Sequence, residues 1–420
     1  MAVNIQERPR LAVRLPFIHL PAPATLDHAQ RPLPWRWLWA QAVSIWVATR
    51  LAYAVLTLYF PLVTGTESPS TKSVALVSVI HRWTYWDGAI YIQLAQNGYW
   101  PPEYSVYFPL YPALIRACAA IIGPHWALAA LLVSNLGALL AFLGIAALAA
   151  QVATEGRERG IARTALILFA TYPLAFFTVA VYTDGIFVGL AAFTLLFALR
   201  QRWGWCAAFA LLAGLCRPVA PALILPVAWE AFQCFRAARA NATIQQALRA
   251  TAPAALAAAA PAIGIAAFSA YLWQRFGDPL MIVHSEHHWA HFSMSPLLSL
   301  PVAVWAFVHV AANSPLQMRI LLDLIPVLAG VIITLVAARR APIVFTLYML
   351  GLLYIITSEP IDFTDLFISS GRYMLAAVPL VVILAGWLER SEWLLPALCC
   401  CGAILQAILA VYFLRHGWIV

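Results

Sequence analysis

The stretch HWALAALLVSNLGALLAFLGIAALAAQ, residues 125–151, runs for 27 residues without Asp, Glu, Lys or Arg. A helix of about 20 apolar residues crosses the hydrocarbon core of a bilayer, so this run is long enough to span a membrane. Its apolar residues are continuous rather than alternating with polar ones, which favours a helix over a strand. The stretch therefore predicts a membrane-spanning helix.

The rest of the chain has the same character. Of its 420 residues, 63% are hydrophobic and 10% charged, and the mean hydropathy is +0.83. This composition is typical of a polytopic membrane protein, whose backbone polar groups are satisfied within helices. We therefore predict an all-α, multi-pass integral membrane protein, with one transmembrane domain at residues 37–420 after a tail at residues 1–36.

Long apolar runs are the candidates for membrane crossings. They cover residues 37–60, 125–151, 161–181, 185–199, 203–216, 219–235, 252–273, 318–338, 342–357, 373–387 and 393–413. Several are near the length needed to span, and the shorter runs predict broken or tightly looped helices. We therefore expect a bundle of about eleven transmembrane helices.

Arginines are concentrated in every second loop. The arginine-rich loops are the tail, residues 157–163, 200–202, 236–249, 339–340 and 390. The positive-inside rule places these loops in the cytoplasm, and the alternate loops, including residues 61–124 and 274–317, on the other face. Parity then predicts that residues 106–122 form a juxtamembrane helix rather than a crossing, with their tyrosines and prolines in the headgroup region.

Composition also excludes several other classes. The net charge of +8 comes from dispersed basic residues, so no nucleic-acid partner is expected. The seven cysteines lie in apolar runs and predict small buried packing residues, without disulfide or zinc spacing. The tail has arginines and prolines but no apolar core, which predicts a cytoplasmic tail rather than a signal peptide. No glycine-rich nucleotide-binding loop is present.

The first non-cytoplasmic loop contains RWTYWDGAIY, residues 82–91, with Asp87 at its centre. A carboxylate near lipid is costly and is usually retained for a function, although a lone loop aspartate is more often simply solvated. Gly88 is predicted to leave space beside the carboxylate for a ligand. Tyr91 follows on a short helix that is expected to end near Asn97. This loop is the first candidate site.

Two further polar positions interrupt apolar runs predicted to reach the same membrane face. At Tyr182-Thr183-Asp184, capping of the next helix and a functional role for Asp184 are both open interpretations. Arg217, beside a proline, either extends to headgroups or binds an anion, because its planar fork suits phosphate oxygens.

The remaining candidates are histidine- or arginine-containing. In HSEHHWAH, residues 284–291, adjacent histidines cannot share one face of a helix, so hydrogen bonding to a ligand is favoured over metal binding. Arg372 stands at the start of a late run, where the alternative is contact with headgroups. Arg50 lies within the first run, and a mid-membrane arginine needs a partner or a ligand.

Trp86-Asp87-Gly88 with Tyr91, then Gly98-Tyr99 and YFPLYP at residues 107–112, resembles the first-loop signature of PIG-V-like mannosyltransferases. Further similar features are Ser134-Asn135, Pro173, Tyr182-Thr183-Asp184 (usually Tyr-Ser-Glu in the family), Arg217, Gly277-Asp278-Pro279-Leu280 and Arg372-Tyr373. In all, the similar positions extend from Arg50 to Pro379.

The resemblance implies a GT-C fold with its active site on the non-cytoplasmic face. It implies an inverting hexosyltransferase, with a polyprenyl-phosphate sugar as donor and a lipid-linked or glycan acceptor. No cofactor or metal is expected, and the location is the plasma membrane, facing outward, if the host is bacterial.

Roles follow for the candidate residues. Asp87 is expected to be the catalytic base. The donor phosphate or lipid is assigned to Arg217, Arg372 and Arg50. The substrate-binding candidates are Trp86, Tyr91, Tyr182, Asp184, His284, Glu286 and Trp289. The alternative is a transporter or flippase for lipids or sugar-linked lipids, which needs polar residues along a path to the cytoplasmic face; a structural membrane scaffold is a third possibility.

Overall fold

The computed structural model describes residues 31–64, 80–289, 292–361 and 363–419, with the backbone alone for residues 61–64. Most of the predicted tail, residues 1–30, and residues 65–79 of the predicted first loop lie outside the described residues. The predictions for those two segments are therefore not examined by the structure.

The described residues form helices joined by turns, with no β-strand among them. The α-helices are α1 (Trp35–Thr64), α2 (Asp87–Asn97), α3 (Leu110–Ile122), α4 (Trp126–Val152), α5 (Glu158–Ala170), α6 (Asp184–Leu199), α7 (Trp203–Gly214), α8 (Ile224–Arg239), α9 (Ile244–Phe276), α10 (Met281–His288), α11 (Pro296–His309), α12 (Pro315–Ala337), α13 (Ile343–Ser358), α14 (Ser370–Tyr373), α15 (Val378–Leu388) and α16 (Leu394–Leu414). Short 3₁₀ helices occur at Arg82–Thr84, Pro102–Val106, Ala175–Thr178, Ala220–Leu223 and Met374–Ala376.

Five described helices are long and apolar enough to cross a membrane, namely α1, α4, α9, α12 and α16. A sixth candidate consists of Ser370–Ala376 followed by α15, bent by 74° at the junction. The protein is thus an all-helical, multi-pass integral membrane protein. Each of the eleven apolar runs contains a helix, but the shorter helices do not decide how many runs cross, and the count of eleven stays a prediction.

The first loop contains two short α-helices, and the end of the first confirms a prediction. The helix after Asp87 ends at Asn97, as predicted. The 13 residues of α3 rise about 20 Å, less than the roughly 30 Å of a bilayer core, which suits the predicted juxtamembrane position. Residues 274–317, expected to be a loop, contain α10 and the apolar helix α11. The 14 residues of α11, interrupted by Pro301, fall short of the spanning criterion used on the sequence.

Close packing of α4 against α6 forms the centre of the fold. A β-carbon at Gly137 on α4 would lie 2.2 Å from the side chain of Ile186, and one at Gly185 on α6 would lie 2.8 Å from the backbone nitrogen of Ala138. Small residues allow helix backbones to approach this closely in membranes. The start of α6, which carries Asp184, is therefore held tightly against α4.

The cysteines depart in part from prediction. All seven are free, as expected, and Cys206 and Cys216 are buried packing residues. Cys400 and Cys401 are exposed on α16, so the prediction of burial was wrong for these two. An apolar run indicates insertion in the membrane, but it does not distinguish a lipid-facing side of a helix from a protein-facing side.

Candidate active site

A cavity of about 290 Å³ opens where the first-loop helices meet α6, α10 and α14. Eight of the eleven candidate residues contribute to its walls. They are Asp87, Tyr91, Tyr182, Asp184, Arg217, Glu286, Trp289 and Arg372. The structure therefore brings together residues that lie up to 285 positions apart in the chain.

Asp87 is the first residue of α2 and is held from two sides. Its Oδ1 accepts a hydrogen bond from the Tyr107 hydroxyl at 3.1 Å, and its Oδ2 accepts one from Arg372 Nη1 at 3.1 Å. Burial, chiefly, raises the pKa of Tyr107 above its ordinary value, so this hydroxyl stays protonated and donates. The Asp87 side chain keeps 31% of its surface exposed, so a ligand can reach it.

Gly88 has a different role from the one predicted. A β-carbon there would lie 3.2 Å from both the Cβ and the carbonyl oxygen of Val181. The glycine therefore lets α2 pack against the segment before α6, and it does not add space to the cavity. A backbone bond from Val181 N–H to the Trp83 carbonyl, 3.0 Å long, fixes the same contact.

Arg372 is positioned by a clamp on the residue before it. The Gly371 N–H donates to Asp323 Oδ1 at 2.6 Å, and the Tyr172 hydroxyl donates to the Gly371 carbonyl at 2.7 Å. Ser369, at the start of this turn, has a φ of +69°, a strained value for a residue with a side chain. The buried Arg372 keeps its Nε–H without a hydrogen-bond partner among the described residues.

Asp184 pairs with Arg217 rather than capping a helix. Thr183 occupies the N-cap position of α6 but makes no side-chain capping bond. Asp184 is the first residue of the helix, and its Oδ1 accepts a hydrogen bond from Arg217 Nη1 at 2.5 Å. Arg217 also lies 4.7 Å from the ring centre of Tyr373. Of the two interpretations left open by the sequence, capping is therefore not observed, and the carboxylate faces the cavity.

Helix α10 supplies another part of the cavity wall. Glu286 and Trp289 line the cavity, and the Trp289 indole N–H donates to the Glu103 carbonyl at 3.1 Å. Burial, with a smaller contribution from Glu359, raises the pKa of Glu286 to about 7. In the part of the chain that the structure describes, no three His, Cys, Asp or Glu side chains are grouped so as to hold a metal ion.

Three candidates lie away from the cavity walls. Arg50 donates to the Asn135 side chain at 2.9 Å and to the Thr178 carbonyl at 3.0 Å, so it connects α1 to the core. His284 pairs with Asp278 at 2.7 Å, and this hydrogen bond lowers the pKa of Asp278. The Trp86 ring lies 4.9 Å from that of His416. None of these three residues lines the cavity, so direct ligand contact is not assigned to them.

Several contributors were missed by the sequence analysis. Asp323 lies in an apolar run, and Tyr107 was treated as a headgroup-facing residue. Trp418, which follows α16, also lines the cavity. The Arg319 guanidinium lies 4.7 Å from the centre of its indole ring. A buried Asp in a spanning run was a usable signal for Asp323, whereas nothing local indicates Trp418.

Comparisons with known proteins identify no relative: no protein-family model, curated protein or solved structure matches this chain. The resemblance to PIG-V-like enzymes therefore stands on the motifs alone. The function is inferred from those motifs and from the geometry of the cavity.

Proposed function

We propose that this chain is a membrane glycosyltransferase with a GT-C-like fold. It moves a hexose, by our proposal mannose, from a polyprenyl-phosphate sugar to a lipid-linked or glycan acceptor, with inversion and without a metal. The observation that carries the proposal is the juxtaposition, in one cavity, of the accessible carboxylate of Asp87 with the guanidinium groups of Arg217 and Arg372. A base and an anion-binding pair are the groups that this transfer requires.

The chemistry assigns a separate task to each group. The acceptor oxygen attacks the anomeric carbon, forming a new glycosidic bond as the bond between that carbon and the phosphate oxygen breaks. The acceptor proton passes to Asp87, and the negative charge that develops on the departing phosphate is stabilised by the arginines. A positioned base of this kind contributes on the order of 10²–10⁴-fold to the rate.

Each arginine already has a carboxylate partner, which restricts how it can bind phosphate. Arg372 uses Nη1 for Asp87, and Arg217 uses Nη1 for Asp184. A guanidinium has five N–H donors, so each arginine retains others for a phosphate oxygen. In this proposal Arg372 orients the base and also meets the leaving group, and Asp184 keeps Arg217 in place.

The decisive experiment compares Asp87→Asn with the parent protein, purified in lipid nanodiscs. The donor is a radiolabelled polyprenyl-phosphoryl mannose, and extracted membrane lipids and glycans serve as acceptors. Asparagine keeps the shape of the side chain and removes the base, so the variant should fold and bind donor while transfer falls by at least about 100-fold.

Asp184→Asn is the comparison variant, because it changes the other aspartate of the cavity. If Asp87→Asn transferred sugar at the parent rate while Asp184→Asn did not, the base would be Asp184. If the parent neither bound the donor nor released sugar from it, the glycosyltransferase proposal would fail.

The proposed topology has eleven crossings, a cytoplasmic N-terminus and an outward-facing cavity. In a cysteine-free background, a cysteine at Ser293 should be labelled by an impermeant maleimide from outside intact cells. A cysteine at Arg339 should require permeabilised cells. If both positions were labelled from the opposite sides, the protein would have the reverse orientation in the membrane.

A transporter of lipids or sugar-linked lipids is the second candidate. It is favoured by a groove between α1, α5 and α16 that has polar side chains in its walls, including Gln41 and Gln406. Reconstituted vesicles containing fluorescent polyprenyl-phosphoryl mannose distinguish the two functions. Movement of the lipid between leaflets without release of mannose would favour transport.

A further inference from the structure

A second groove with polar walls lies between α1, α5 and α16. It encloses about 560 Å³, and seven of its thirteen lining residues are polar. On α1 the lining positions recur every three or four residues from Gln41 to Tyr53, a distance of about 18 Å along the helix. The groove thus follows one face of a spanning helix.

Two of the helices that line the groove are little buried within the protein. In the most apolar 18-residue stretch of each helix, only 17% of the residues of α1 and 11% of those of α16 are buried. Arg163 on α5 contributes a positive charge to the wall and has no hydrogen bond or ion pair among the described residues. Because residues 157–163 are predicted to be cytoplasmic, Arg163 lies near the level of the lipid headgroups, where a cationic side chain attracts anionic lipids.

Tyr53 gives an independent sign of a ligand. Its side chain lines the groove and is only 7% exposed, yet its hydroxyl has no hydrogen-bond partner in the described structure. A buried hydroxyl without a partner is costly, and a hydrocarbon chain cannot satisfy it.

Two neighbouring side chains are held in place but retain bonding capacity. Gln406 uses its amide nitrogen to donate to the Ala170 and Tyr172 carbonyls, at 3.1 and 2.6 Å, so its oxygen is left to accept. The Ser44 hydroxyl donates to the Ala40 carbonyl at 2.6 Å and likewise can still accept. The groove therefore offers acceptors for hydroxyl groups as well as a cation.

We infer that this groove binds the headgroup of an anionic glycerophospholipid, with the acyl chains remaining in the bilayer. The lipid phosphate meets Arg163, whose planar fork suits phosphate oxygens. Glycerol hydroxyls of the headgroup donate to Gln406 or Ser44, and an ester carbonyl accepts from Tyr53. The site is separate from the cavity of Asp87 and does not depend on the proposed transfer reaction.

The test uses spin-labelled phosphatidylglycerol and, separately, spin-labelled phosphatidylcholine, each as a trace component of phosphatidylcholine vesicles containing the full chain. Paramagnetic resonance measures the fraction of label immobilised by the protein. The parent protein should retain phosphatidylglycerol about 5-fold more strongly than phosphatidylcholine. Arg163→Gln should abolish this preference, and Tyr53→Phe, which removes only the hydroxyl, should weaken phosphatidylglycerol retention about 3-fold.

Arg339→Gln is the control, since it removes another exposed arginine from a loop predicted to be cytoplasmic and should leave the preference unchanged. The inference is overturned if the parent retains both lipids equally, or if Arg339→Gln has the same effect as Arg163→Gln. Displacement of the label by undecaprenyl phosphate but not by unlabelled phosphatidylglycerol would assign the groove to a different lipid phosphate.

Discussion

Replacing Arg217 by methionine would leave the Asp184 carboxylate without its partner in a nearly inaccessible position. The two side chains are 7% and 1% exposed and 2.5 Å apart, and the second oxygen of Asp184 already lacks a hydrogen bond among the described residues. Removing one partner of a buried ion pair typically costs about 3–5 kcal/mol of stability. Because Arg372 also interacts electrostatically with Asp184 and would still offset part of its charge, Arg217→Met should lie at the lower end of this range.

The reciprocal change should cost less. In Asp184→Asn, the guanidinium of Arg217 still lies over the Tyr373 ring at 4.7 Å, and a cation–π contact is worth about 0.5–2 kcal/mol. We therefore expect Asp184→Asn to destabilise by about 1–3 kcal/mol. The double variant removes both charges, so its cost should be well below the sum of the two single costs.

The measurement is the free energy of unfolding of the four proteins in mixed detergent micelles, followed by tryptophan fluorescence as denaturing detergent is added. The difference between the double variant and the sum of the single variants gives the coupling energy. Costs that add to within about 0.5 kcal/mol would show that the two groups do not interact strongly. The assignment of Asp184 as the anchor of Arg217 would then be wrong.

Two other perturbations examine the clamp and the α10 wall. Gly371→Ala would place a β-carbon 2.4 Å from the Leu322 carbonyl oxygen, so it should lower stability by about 1–3 kcal/mol and reduce transfer. Gly204→Ala is the control, because the space around Gly204 is open and neither stability nor transfer should change. Equal melting temperatures for the two variants would contradict the clamp. The pKa of Glu286 is raised to about 7 by burial and by Glu359. Between the usual carboxyl pKa and pH 7, Glu286 is therefore protonated in the folded protein but ionised in the unfolded chain, so stability should fall as pH rises. Melting curves at pH 5 and pH 8 should show this loss in the parent and a smaller one in Glu286→Gln; equal pH dependence in both proteins would be the contrary result.

Features set by local chemistry were predictable from the sequence. The absence of charge over residues 125–151 corresponds to α4, and the prediction of a short helix ending at Asn97 is confirmed. Asp87 stood out because a carboxylate is rare in such an apolar chain. Each of these inferences needs only neighbouring residues, and the described structure contains the corresponding helices.

Pairings between distant residues were not predictable in the same way. Asp87 and Arg372 are 285 positions apart, and Asp184 and Arg217 are 33 apart, so their contacts depend on how the helices pack. Arg50 illustrates the limit: the need for a partner in mid-membrane was correctly inferred, but the partners are Asn135 and Thr178 rather than a substrate phosphate in the cavity. A single sequence identifies which residues require partners, without identifying the partners.

The glycine contacts between α4 and α6 have a consequence for how substrates of different size would be accommodated. With backbone of one helix against backbone of the other at Gly185, neither can slide or tilt without a steric clash, so the wall that carries Asp184 is the rigid template of the cavity. Another part of the wall is the eight-residue helix α10, of which Ser285 alone is buried. Adaptation, whether by induced fit or over evolution, is therefore expected on the α10 side, and changes in ligand selectivity should arise from Glu286 and Trp289 rather than from α6.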